Sequence, residues 1–136
     1  MTNQRYVKCN EHLGKGDINL IEDTIDLLLV DNSLYTPNVN TDEFLEDIPE
    51  SSRLFQSSGG LQNKSISDGV FDSDDFLCED ISSGTVDNII LYKNTGDEST
   101  SILICIINDA TNLPISPGTS GLKIKWSNGP NKIFTI

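Results

Sequence analysis

The sequence predicts an all-β protein: a single-domain β-sandwich, Ig-like or jelly-roll-like, over residues 18–136, preceded by an irregular N-terminal arm over residues 1–17. Two observations carry that expectation. Short runs of Ile, Leu, Val and Phe recur between clusters of Ser, Thr, Asn, Asp and Gly, which is the pattern of many short strands joined by polar turns. At 136 residues and 36% hydrophobic, the chain is one domain by length and can bury a core without staples.

The elements follow in order. Residues 1–17 are polar and end in the breaker Gly14-Lys15-Gly16-Asp17, so an arm is expected. Ile18 to Leu20 can form a short strand, and Thr24 to Val30 reads as a full one, with Asp26 its only charge. Tyr35-Thr36-Pro37 is extended, because Pro37 disfavours helix in the residue before it. Thr41 then caps a short helix near 42–47, the single helix expected, which Pro49 ends.

Beyond Ser51 the pattern is β. Ser52 to Gln56 and Leu61 to Ile66 are candidate strands, and Asp68-Gly69 is a strong turn signal. Val70 to Phe71 and Phe76 to Cys78 flank the acidic insert Asp72-Ser73-Asp74-Asp75. Val86 to Lys93 and Ser101 to Asn108 form the strongest strands, joined around Asn94-Thr95-Gly96-Asp97-Glu98. Leu122 to Trp126 and Lys132 to Ile136 are expected to close the chain as a hairpin around Asn128-Gly129.

Charge and cysteine usage narrow the function. The net charge of −12, from 21 acidic and 9 basic residues, argues against nucleic-acid backbones and anionic membranes as partners. Three widely spaced cysteines without a CxxC pair do not make a disulfide scaffold. The first residues carry no apolar signal region, and no stretch is long and apolar enough for a membrane helix, so synthesis in a cytoplasm is expected.

Catalytic chemistry is poorly served. The one histidine, His12, lies near Cys9, but a Cys/His pair needs a rigid site and an orienting third group. No glycine-rich phosphate loop with its lysine is present. Asp72, Asp74 and Asp75 are the one cation candidate, because closely spaced carboxylates offer hard oxygens to Ca²⁺. The competing reading of that insert is a solvated acidic turn. Leu122, Ile124 and Trp126 share one face of an alternating strand, which makes Trp126 a core residue rather than a ligand platform. No enzyme activity and no cofactor are expected.

The stretch "LPISPGTSGLKIKWSNGPNKIFTI" resembles the C-terminal region of small virion structural proteins of tailed bacteriophages. "GDINLIEDTIDLLLVD", "YTPNVNTDEFLEDI", "SISDGVFDSDDFLCED" and "NIILYKNTGDESTSILICIIND" are similar, in order, to earlier parts of that group's pattern. The resemblance covers residues 16–136 and leaves the first 15 residues without a counterpart. It implies a small β-sandwich that decorates and cements the capsid, bound to the major capsid protein as a homotrimer on the virion surface. Alternatives are a head–tail connector, a tail or fibre subunit, or a carbohydrate-binding β-sandwich. Ile133 and Phe134 face opposite ways in a strand, so one side of the tail needs a cover from a neighbouring strand or a second subunit. Ile133, Phe134 and Ile136 are therefore the candidate interface.

Overall fold

The computed structural model describes residues 4–108, 113–117, 121–126 and 132–135. Along the chain run β1 (Gln4–Arg5), α1 (Val7–Lys15), β2 (Ile25–Val30), β3 (Arg53–Gln56), β4 (Ser65–Ser67), β5 (Val70–Asp72), β6 (Phe76–Cys78), β7 (Asn88–Lys93), β8 (Ile102–Ile107), β9 (Leu122–Ile124) and β10 (Phe134–Thr135). The protein is all-β in class, with strands in antiparallel sheets and α1 as the α-helix among the described residues.

A five-stranded sheet in the order β1-β8-β7-β2-β3 forms the centre. Every residue of β2 and of β8 is buried, as is all of β7 except Lys93. This accounts for the sequence of these strands: "IDLLLV", "NIILYK" and "ILICII" run apolar without alternation because both faces of the sheet are covered. The cover comes from Cys9 on α1, from loop residues such as Ile18, Leu20, Leu45, Ile48 and Ile81, and from Phe71, Cys78, Ile124 and Ile133 of the smaller sheets. All belong to one continuous core.

Two smaller sheets complete the fold, one in the order β10-β5-β4 and one pairing β6 with β9. Asp68 and Gly69 form the tight turn between β4 and β5, with φ of 52° and 77°. Positive φ at both central residues matches the right-handed twist of the flanking strands, as the Asp-Gly pair predicts.

Five expectations are corrected. The helix near 42–47 is only a 3₁₀ turn over Leu45–Asp47. Phe44 is extended and bridges to Ile102, and the Asp47 carboxylate accepts the amide protons of Glu43 and Phe44, so this segment lies along the sheet edge. The irregular arm instead contains α1, docked on β8. The glycine breaker is the cap of that helix: Gly16, at φ 79°, donates to the Leu13 carbonyl, and Asp17 donates to that of His12. The third correction concerns the closing hairpin. β9 pairs with β6, with Phe76 opposite Ile124, while β10 pairs with β5, with Phe134 opposite Phe71. The two final strands thus lie in different sheets. Ile18 to Leu20 is irregular chain entering a turn at Leu20, with both apolar ends buried, and of Leu61 to Ile66 only the last two residues are strand.

Candidate interaction surface

The closing segment is held from within its own chain. Ile133 donates its amide to the Phe71 carbonyl at 3.1 Å and is buried. The Phe134 ring packs on that of Phe71 at 5.3 Å between centroids, and the Arg5 guanidinium lies 5.7 Å over the Phe134 ring. A cation over an aromatic face is attracted by the ring quadrupole, so strand β1 helps to hold strand β10. Lys132 adds an ion pair to Asp72 at 3.4 Å. Of the three tail residues expected at an interface, Ile133 is core and Phe134 is half-buried against Phe71 and Arg5. Ile136 lies outside the described residues.

The same sheets leave apolar side chains exposed elsewhere. Ile66, Phe71 and Phe134 stand opposite one another across β4, β5 and β10, and so share one face. Phe71 is buried, but Ile66 on the outer strand β4 is 42% exposed. Leu77 on β6 is 56% exposed opposite Lys123, while its neighbours Phe76 and Cys78 pair inward with Ile124 and Leu122. β4 is the end strand of its sheet, and β6 and β9 make a two-stranded one, so each offers an edge to which another chain could add. The outer side of β3, where the Leu54 carbonyl accepts from the Ser82 amide at 2.9 Å, borders a shallow depression between Phe55, Gln56 and the carboxylates of Glu50, Glu79 and Asp80.

The acidic insert does not converge. Asp72 pairs with Lys132, Asp74 accepts from Asn63 Nδ2 at 2.6 Å, and Asp75 accepts from the Trp126 amide at 3.1 Å. Among the described residues no group of three His, Cys, Asp or Glu side chains is placed to hold a metal ion. Trp126 is half-buried at the core margin, and its indole N–H donates to the Asp74 carbonyl at 3.0 Å. That bond orients the ring toward the insert.

The reactive residue types are occupied or buried. Cys9, Cys78 and Cys105 are free thiols inside the core. Burial pushes the Cys9 thiol up to about 11 and Cys78 to about 12, and pushes Cys105 up as well, so all three stay protonated and unreactive near neutral pH. His12 does not approach Cys9 as a partner. Its Nδ1 meets Asp17 Oδ2 at 2.7 Å and its Nε2 meets Glu43 Oε2 at 2.8 Å.

Two polar clusters organise the central sheet. Asp26, fully buried on β2, accepts from Ser57 Oγ at 2.7 Å, the Gly60 amide at 2.9 Å and Asn94 Nδ2 at 2.9 Å. Its lone charge in an apolar run was the signal of this role. Arg53, with a side chain only 6% exposed, grips Glu98 through both terminal nitrogens at 3.1 and 2.9 Å. It also donates to the carbonyls of Leu45 and Ile48. This fork ties β3 to the 3₁₀ turn and to the β7–β8 hairpin, and its hydrogen bonds hold the Glu98 carboxyl below the usual carboxylate range. Nothing local in the sequence marked Arg53, because its partners come from distant segments.

Neither a protein-family model nor a curated protein matches the chain. Among the described residues no helix is long and apolar enough to cross a membrane.

Proposed function

We propose that the chain is a non-enzymatic virion protein that decorates and cements the capsid of a tailed bacteriophage. It acts by contact, with the major capsid protein and with two further copies of itself, at the virion surface. The resemblance over residues 16–136 supplies the family of this reading. The structural observation that supports it is the pair of end strands β4 and β6, which present Ile66 and Leu77 outward and, among the described residues, have no strand on their outer side. Such edges take partner strands through main-chain hydrogen bonds, with the outward side chains supplying selectivity. The buried thiols and the doubly bonded His12 agree with a role that needs no nucleophile.

The cover expected for the tail from a neighbouring strand or a second subunit comes from other strands of the same chain, through Phe71 and Arg5. The trimer therefore rests on the resemblance alone. Quantitative mass spectrometry of purified virions of the encoding phage tests the whole reading. Copy numbers comparable with the major capsid protein are expected; a handful of copies per particle would move the chain to the neck or tail, and its absence from virions would end the proposal.

A further inference from the structure

The outer edge of β8 is closed by two separate pieces of chain. Gln4 and Arg5 pair with Ile106 and Cys105, and the Tyr6 amide donates to the Ile104 carbonyl at 2.9 Å. Further along, Leu103 donates to the Glu43 carbonyl at 2.9 Å, Phe44 bridges to Ile102, and Leu45 donates to the Ser101 carbonyl at 2.8 Å. Neither cover is a full strand. Under them lies "ILICII", a wholly apolar strand of the kind that pairs readily when its edge is free.

His12 joins these two covers. It sits on α1, directly after β1, and its Nε2 reaches the side chain of Glu43, whose own carbonyl holds Leu103. Its Nδ1 reaches Asp17 just past the helix. A neutral imidazole carries one N–H, so it donates to one carboxylate and turns a lone pair toward the other; only the imidazolium donates to both. The other charged groups nearby are Lys8, Glu11 and Lys15 on the same helix, Arg5 on β1, and Asp42 and Asp47 in the Glu43 loop. Asp42 accepts from the Tyr35 hydroxyl, and Asp47 is engaged by backbone amides. β8 itself contributes Cys105 as its one titratable group. The Phe44 ring lies 6.0 Å from the imidazole.

We propose that His12 is a proton-operated latch, which as the imidazolium clasps the N-terminal helix to the Glu43 segment and keeps the edge of β8 shut. On losing its proton it keeps the Nδ1–H bond to Asp17 in its own segment and turns the Nε2 lone pair toward the Glu43 carboxylate, so the covers loosen as pH rises. Histidine is the side chain whose charge ordinarily changes across neutral pH, and this chain has only this one.

Amide hydrogen exchange by NMR, corrected for intrinsic rates, reads the latch directly at Tyr6 and Leu103. From about pH 5 to about pH 8, protection at these amides should fall by about tenfold, while Ile90 in the sheet centre keeps its protection. In Glu43→Gln the amide can donate to an unprotonated Nε2, so protection should stay high across the range. In His12→Ala, which has no donor to offer Glu43, it should be low and independent of pH. Unchanged protection in the wild-type chain overturns the proposal. So does a loss shared equally by Ile90, or a pH dependence that survives in Glu43→Gln.

Discussion

The central sheet and the two small sheets are built from the same residue types by opposite rules. In β2, β7 and β8 burial is nearly continuous, and the strands align over five or six residue pairs. In β4, β5, β6, β9 and β10 the strands run two or three residues and alternate or lie exposed. The first region specifies its pairing by area buried. The second depends on single contacts, such as Arg5 on Phe134 or Lys132 on Asp72. A long strand tolerates the loss of one contact and still knows its register, whereas a two-residue strand has little else to define it.

Substitution tests this contrast most strongly in the centre. Ile90→Ala removes a fully buried side chain, and should cost about 2–5 kcal/mol in urea unfolding, because the covered faces leave little room to collapse. A cost no larger than that of Phe134→Ala would erase the distinction between the regions.

Alkaline pH should show a smaller effect with the same bias. Burial raises Cys9 from 9.0 to about 11 and Tyr92 from 10.0 to about 12, and raises Tyr6 and Cys105 too. All four lie in or on the central sheet, while Cys78, raised from 9.0 to about 12, is the corresponding group of the small ones. Between the unfolded and folded values the folded chain holds more protons, so the contribution of these groups to stability is full below about pH 9 and is lost as pH rises through about 11 to 12. Urea midpoints followed from neutral to alkaline pH check the sign. A midpoint that rises or stays level would show that these groups are wetter than the fold implies.

The smallest effect belongs to Leu77→Ser. With most of the side chain in solvent, unfolding should shift by no more than about 0.5 kcal/mol. Its consequence should appear instead in capsid binding, measured by co-sedimentation, if β6 is a docking edge. Full binding by this variant would remove β6 from the proposed surface.

The same contrast explains what the sequence disclosed. β2, β7 and β8 were legible because unbroken aliphatic runs need no knowledge of the partner. Asp68-Gly69 was legible because a tight turn is set by its own two residues. Helix α1 was not, since "VKCNEHLGK" buries only Cys9 and its polar character reads as loop. The destinations of β9 and β10 were also hidden: a strand of two or three residues holds no record of which sheet it joins. Of the functional reading, the cation candidate needed its carboxylates to converge, and backbone direction sends them to Lys132, Asn63 and Trp126. The partners of His12 were out of reach for the same reason: Glu43 arrives through the fold alone.

The split of the last two strands between sheets also bears on the order of assembly. β4 and β5 can zip together as soon as both exist, because one turn joins them. β6 has no such neighbour: its partner β9 follows β7 and β8 in the chain, and the second partner of β5 comes later still. During synthesis the ribosome therefore releases β6 with one sheet partner still unmade. Long-range closures of this kind are slow and leave edges open to wrong neighbours. Until β9 arrives β6 lacks its sheet partner, and growth temperature and expression rate should govern how much of the protein is recovered folded.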